Sequence, residues 1–465
     1  MVRFVPLMLC MVLIGVMVVG ESPAVPLTPA AATGPLQRSV HNPRYFATPD
    51  GKPVLLTGAH TWQNLQDTGG TNPPKPFDYP GYLDFLQTNN HNFFRLWTWE
   101  QARFSNEIVS DDYFTFPMPY LRTGAVLGLD GQPKFDLDKF NPEYFARLRQ
   151  RVIDAGGRGI YVAVMLFNGW SIESCKGQFC DNNPWKGHPF NKANNVNGID
   201  GDLNGNDSGE EAHSLAVPAV TARQEAYVRK VIDTVGDLDN VLYEIANEGP
   251  GGSVQWQYRM IEVIKAYERS KGKVHPVGMT STYPGGDNSD LLASPADWIS
   301  PNGDVNNPPV ADGTKVILSD TDHLCGLCGD SSWPWKSFIR GENPIYMDPY
   351  DGAYGIGGKM DDNTQVSIRA NLGHVRAYAA KMDLATAKPQ PNLCSTGYCL
   401  SNSREVLVFS PGGAFTVTTP AGRLDGQWFD PQTSRTTAVS GIHGGQAAEF
   451  SPPFTGAAVL YLKQQ

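Results

Sequence analysis

Short apolar runs alternate with longer amphipathic stretches over most of the 465-residue chain. Eight runs have the length and bounding turn residues of buried strands: 53–58, 92–97, 159–167, 240–245, 275–280, 298–300, 315–319 and 343–347. Between some of them, 144–155, 222–235 and 254–270 repeat apolar residues at helical spacing, and 363–381 reads as the last helix of the series. Strand–loop–helix repetition is the signature of a parallel α/β fold, and eight units predict a (β/α)8 TIM barrel with long loops. A doubly wound sheet is the alternative, but no Gly-rich dinucleotide fingerprint follows the first strand.

After Pro389 the period changes. Runs at 405–409, 414–419, 426–430, 447–450 and 457–462 are short, alternate in polarity and are punctuated by Gly, Pro and Ser. That pattern predicts a small all-β sandwich. The expected organisation is a signal peptide over 1–20, a Pro/Ala-rich linker over 21–36, a barrel over 37–384 and a β-sandwich over 385–465. The signal peptide rests on Arg3, the apolar run Phe4 to Val19, and small residues at Gly20 and again over 29–32. The run is short for a membrane span. The mature protein is therefore expected to be secreted, periplasmic or extracellular, and free of the membrane.

Charged residues are 18% of the chain and hydrophobic residues 41%, which fits a folded chain and not a disordered one. A net charge of −10 argues against nucleic acid or an anionic membrane as partner. Cys10 lies in the apolar leader; the other cysteines form three local pairs, Cys175 with Cys180, Cys325 with Cys328, and Cys394 with Cys399. In an exported chain such pairs are read as disulfides, with a four-thiolate zinc site as the rival.

The candidate chemistry sits where strands end. Asn240-Val-Leu-Tyr-Glu-Ile-Ala-Asn247-Glu248 is an apolar strand closed by an amide and a carboxylic acid, followed by a Gly-Pro break. The C-terminal tip of a barrel strand is where this fold carries its catalytic groups. Two carboxylates flanking a glycosidic oxygen suffice for hydrolysis: one protonates the leaving oxygen, and the other attacks or activates water. The seventh run offers two partners, Asp320 and Asp322. Both share the parity of Val316 and Leu318, and Asp320 is the preferred position. The shorter Asp side chain leaves both the retaining and the inverting outcome open.

Phe94-Arg95-Leu96-Trp97, Ala246-Asn247-Glu248 and Val316-Ile-Leu-Ser-Asp320-Thr-Asp322-His323, with Gly426-Gln-Trp-Phe-Asp430-Pro431 and Phe450-Ser-Pro-Pro in the tail, resemble a known group. It is the large (β/α)8 clan of glycoside hydrolases that includes cellulases, and within it the apiosidase-like barrels that carry a C-terminal collagen-binding β-sandwich. The resemblance implies that Glu248 is the general acid/base and that Asn247 binds a substrate hydroxyl. The clan's strand-seven nucleophile is a Glu, and here an Asp stands in its place. Arg95 is expected beside the strand-seven carboxylate. His60, Asn168, Trp170 and Tyr283 are expected as substrate contacts, Trp97, Trp99, Trp333 and Trp335 as sugar platforms, and Asp348 in the pocket floor.

A separate signal lies at Asp200-Gly-Asp202-Leu-Asn204-Gly205-Asn206-Asp-Ser208-Gly-Glu-Glu211. Asp200, Asp202, Asn204, the Asn206 carbonyl and Glu211 have the spacing of a Ca²⁺ loop, with glycine at the sixth position. A lone structural Ca²⁺ site and a solvated acidic loop are both consistent with it, and catalysis itself calls for no cofactor. The leading expectation is a secreted hydrolase of O-glycosidic bonds in an oligo- or polysaccharide. A non-catalytic carbohydrate- or matrix-binding protein on the same scaffold is the second, and a metallohydrolase, lacking any HExxH or comparable His cluster, the third.

Overall fold

The computed structural model describes residues 31–104, 113–173, 176, 183–350 and 362–465. Eight parallel strands form the central sheet: β1 Gly58–His60, β2 Phe93–Leu96, β3 Tyr161–Asn168, β4 Val241–Asn247, β5 Val277–Thr280, β6 Trp298–Ser300, β7 Val316–Asp320 and β8 Asn343–Met347. Each strand from β2 to β7 pairs with the next in sequence, and β8 returns to β1 with Ile345 opposite Gly58. The β1–β2 seam is drawn together by Asn92, whose N–H donates to Thr57 O and whose Oδ1 accepts from Thr57 N, both at 3.0 Å. At Gly58 the strands are so close that a Cβ would run into the Phe93 carbonyl. The sheet therefore curls into a barrel, and the doubly wound alternative is ruled out.

The helices named here are α1 Tyr79–Thr88, α2 Pro142–Gly157, α3 Pro218–Val235, α4 Val254–Lys271, α5 Asn288–Ala293, α6 Trp333–Ile339 and α7 Asn363–Lys381. Strand parity decides what each residue meets. On β3, Val162, Val164 and Leu166 face the helices, while Tyr161 and Ala163 join Phe93, Leu242, Trp298, Val316 and Leu318 inside the barrel floor. One step up the same parity, Arg95, Met165, Glu244 and Asp320 form the next layer, and Trp97 lies above it.

One strand was misplaced by sequence. Pro53–Val54 pairs antiparallel with Phe46–Ala47 outside the barrel, and β1 begins only at Gly58. The end of the Pro/Ala-rich segment lies against the barrel: Leu36 is buried in the floor cluster and Thr33 O accepts from the Tyr161 hydroxyl.

The tail forms β9 Lys388–Pro389, β10 Cys399–Ser401, β11 Glu405–Ser410, β12 Phe415–Thr418, β13 Gly422–Phe429, β14 Thr436–Gly444, β15 Ala447–Phe450 and β16 Ala458–Gln464. Six of them make one antiparallel sheet in the order β9-β10-β11-β16-β13-β14, and β12 pairs with β15 in a second. Val406 and Val408 pack between the two sheets, and Leu407 and Phe409 pack towards α6 and α7 of the barrel. Cys325–Cys328 and Cys394–Cys399 are disulfides, which leaves no thiolate on them for zinc. Cys175 and Cys180 lie outside the described residues.

Candidate active site

Arg95 organises the C-terminal mouth of the barrel. Its Nε and Nη2 donate to Glu244 Oε2 and Oε1 at 2.9 and 2.5 Å, and Nη2 also reaches Asn247 Oδ1 at 2.7 Å. Its Nη1 donates to Asp320 Oδ2 at 3.1 Å and to Asp322 Oδ2 at 2.8 Å. One planar cation thus ties the ends of β2, β4 and β7 together, the geometry for which guanidinium is suited. Trp97 packs against it, 5.0 Å from the guanidinium carbon to the ring centroid, and stacks on His60.

The two strand-seven acids have different surroundings. Asp320 is 1% exposed, and His60 Nε2 lies 2.9 Å from its Oδ2. Its Oδ1 accepts from Asp322 N at 3.0 Å and caps the helical turn Thr321–Leu324. Burial pushes its carboxyl up, but the charge and hydrogen bond of His60 and the charge of Arg95 outweigh that and hold it below the usual carboxylate range. Asp322 begins that turn, so the strand parity that predicted its direction has ended, yet it still reaches Arg95. Its side chain is 8% exposed, and its Oδ2 lies 3.8 Å from His323 Nε2. His323 is fixed from the other side by Ser300 Oγ at 2.7 Å.

Glu248 follows β4 with φ of +42°, a left-handed backbone uncommon for a non-glycine residue. Its carboxylate Oε2 accepts the indole N–H of Trp170. Burial, then the charge of Asp322, pushes this carboxyl up to about 8, against smaller downward effects of Lys176, Trp170 and Arg95. Such an acid keeps its proton at neutral pH. Asn247, beside it, has its amide nitrogen Nδ2 buried and without a partner among the described residues.

Other expected contacts have structural duties. Asn168 accepts from Trp170 N at 3.1 Å and donates to Thr98 O at 3.0 Å, so it shapes the turn that presents Trp170. Asp348 does not open onto a pocket floor: it is buried against Arg369, with contacts of 2.7 and 2.5 Å. Trp333 belongs to the main core, and Trp335 packs between barrel and sandwich, so neither is a sugar platform. Tyr283 lies after β5 and its N–H donates to Gly249 O at 3.1 Å, next to the acid. Trp97 and Trp99 do gather at the mouth, together with Trp62 and Met165 and, at the edge, Trp170 and Tyr113.

Sequence reasoning missed Glu244, Trp62 and Lys176. Glu244 left a usable trace, since a lone charge inside an apolar buried strand needs a partner. Lys176 had no periodic signal around it.

In the acidic loop, Asp202 accepts from the N–H groups of Gly205 and Asp207 at 2.7 and 3.0 Å. Asn204 Nδ2 donates to Glu211 Oε1 at 2.6 Å. Asp200 and Asn206 likewise accept from the amides of Asp202 and Ser208. Among the described residues, no group of three or more His, Cys, Asp or Glu side chains is gathered to hold a metal ion. None of the described helices is long and apolar enough to cross a membrane.

Residues 103–292 match a family described as a domain of unknown function, DUF6298. A comparison with curated protein sequences finds no match. Among solved structures, the chain is similar to a protein described as a glycoside hydrolase, at 11% identity and a TM-score of 0.57, over 93% of this chain and 97% of the other. It is similar to a glycoside hydrolase family 5 protein from Bacteroides vulgatus at 11% identity and a TM-score of 0.58, over 92% of this chain and 93% of that one. A candidate glycoside hydrolase from the same organism gives 12% identity and a TM-score of 0.60, over 93% and 82%. At these identities the likeness establishes the fold, a (β/α)8 barrel with its β tail.

Proposed function

We propose that this chain is a secreted glycoside hydrolase of the cellulase-like, apiosidase-like kind. The observation that carries the reading is Glu248: a buried carboxyl at the tip of β4, raised to about 8 and feeling the charge of Asp322. An acid that keeps its proton at neutral pH beside a second carboxylate is the division of labour that glycoside hydrolysis needs. The glycoside hydrolase descriptions of the structural neighbours support it, as do the strand-end motifs.

In this reading Glu248 donates its proton to the departing glycosidic oxygen as the C1–O bond breaks. Of the two strand-seven acids, Asp322 is the one we assign to the substrate. Asp320 has its oxygens committed to His60, Arg95 and the Asp322 amide, whereas Asp322 is the more exposed. Asp322 then either attacks the anomeric carbon or takes a proton from the attacking water. The unpartnered Nδ2 of Asn247 is a ready donor to a sugar hydroxyl, since a buried amide left alone is costly. Trp62, Trp99 and Trp170 bring apolar rings to the mouth, whereas Trp97 is packed against His60 and Arg95.

A screen of arrayed glycans with wild type and Glu248→Gln tests the reading. Hydrolysis of at least one neutral glycan by the wild type, reduced on the order of 10²–10⁴-fold in the variant, is expected. Binding without hydrolysis by either protein would replace this reading with the carbohydrate- or matrix-binding one. The anomer of the first product, read by NMR, then tells attack by Asp322 from activation of water.

A further inference from the structure

Lys176 is a buried cation that the proposed chemistry does not use. Its Nζ donates to the backbone carbonyl of Glu248 at 2.5 Å and to Glu173 Oε1 at 3.1 Å. Burying an ammonium is costly unless its hydrogen bonds are made, so the contact with a main-chain carbonyl calls for an explanation. That carbonyl belongs to the residue with φ of +42°, a strained conformation that persists only when its surroundings hold it. Gly169 closes the other side: a Cβ there would collide with the same carbonyl. The next peptide is held by Tyr283 N on Gly249 O.

We propose that Lys176 is a positioning residue that clamps the Glu248 carbonyl, and through the left-handed turn aims the Glu248 carboxyl at the indole N–H of Trp170. Glu173 holds Lys176 in place. The proposal rests on the glycosidase reading for its purpose but not for its test. The charged groups facing Glu248 are Lys176 after β3, Asp322 after β7 and Arg95 on β2; those facing Lys176 are Glu173, Glu210 and Glu248. Lys176 is among the groups that draw the Glu248 carboxyl down, so removing its charge moves that titration upward.

The test uses the full chain and needs no substrate. Thermal stability is followed against pH for Lys176→Met and for Lys176→Met/Glu248→Gln. The difference between the two curves reads the titration of Glu248 alone. An upward shift of its midpoint by about one pH unit relative to the wild-type pair is expected, with Lys176→Arg restoring the wild-type value. In a crystal structure of Lys176→Met, Glu248 should leave the left-handed region. If Lys176→Met does not fold, Lys176→Gln, which keeps a donor but no charge, is read by the titration alone. An unshifted titration together with an unchanged Glu248 backbone would overturn the proposal, whatever the glycan screen finds. If the titration and backbone respond but no glycan is cleaved, the clamp stands and the glycosidase reading falls.

Discussion

Arg95 and Glu244 face each other inside the barrel as a bidentate pair, with both members buried. Glu244 offsets part of the guanidinium charge and leaves Nη1 for the two strand-seven acids. A buried pair contributes little net stability, but removing one member strands the other. Glu244→Ala is therefore expected to destabilise the fold by about 3–5 kcal/mol in chemical denaturation. Arg95→Lys should lose the ties across three strands despite keeping its charge, because an ammonium cannot match the planar fork. An unaltered denaturation midpoint in both variants would show that the pair holds nothing.

The Glu248 carboxyl sets the alkaline side of the pH profile. The proposed acid works only while protonated, so activity should fall as pH rises through about 8. Stability follows the same group. Its folded value lies above its usual value of 4.5, so its contribution is fully present below that value and is lost as pH rises towards about 8. The amide of Glu248→Gln does not ionise. The melting temperature of this variant minus that of wild type should therefore climb between these two pH values and level off above them. A flat difference would mean that Glu248 titrates normally.

Asp320 and Asp322 should separate by phenotype. Asp320 is held below its usual range, so its stabilising contribution is present above that range and is lost as pH falls through the depressed value. Asp320→Asn should lower the melting temperature at neutral pH and flatten the acid limb of stability. Asp322→Asn should melt near wild type and lose activity on the order of 10²-fold or more. The reverse pattern would return the substrate role to Asp320.

The barrel was legible in the sequence because buried parallel strands are continuous apolar runs with few competing readings. Seven of the eight runs coincide with a barrel strand over most of its length. The first failed because Pro53–Val54 is as apolar as a barrel strand while pairing with an outer one. In the tail, Thr436–Gly444 escaped notice because it is largely exposed and carries little apolar alternation. Within the site, Glu248 and Arg95 were readable from strand ends, where parity fixes direction. Asp322 was named beside Asp320 on strand parity, but it reaches Arg95 from the turn that begins at Thr321 and not from the strand. Asn168 and Asp348 were misread because their partners, Thr98 and Arg369, come from distant parts of the chain. Trp333 and Trp335 were misread because a tryptophan's residue type does not say which surface covers it.

The acidic loop yields a sharp test. To take Ca²⁺, Asn204 and Glu211 would have to give up their mutual hydrogen bond, and Asp202 its bonds from Gly205 and Asp207. Those bonds engage Asp202, Asn204 and Glu211 Oε1, and among the described residues only Glu211 Oε2 of these groups is buried without a partner, so binding requires the loop to rearrange. Calorimetric titration with Ca²⁺ after chelator treatment is therefore expected to show no heat and no shift in melting temperature. A saturable heat would restore the Ca²⁺ loop, and Asp202→Ala should then abolish it.

Barrel and sandwich should unfold together. Trp335, Phe338, Val375 and Tyr378 of the barrel share one buried cluster with Leu407, Phe409, Phe429, Val459 and Tyr461 of the tail. Gln427 Nε2 donates to the Tyr378 hydroxyl at 2.5 Å, and Asn371 Nδ2 donates to Pro431 O at 2.9 Å. An interface of large buried apolar side chains couples its two units, unlike the polar contacts between independently moving domains. Ending the chain at Leu384 would expose the barrel side of that cluster and leave α7 without its cover. Scanning calorimetry of the full chain is expected to give one cooperative transition. The truncated barrel should melt at a lower temperature and expose apolar surface to a fluorescent dye. Two separated transitions in the full chain, with a truncated barrel that melts like the upper or lower of them, would show that the shared cluster does not couple the units.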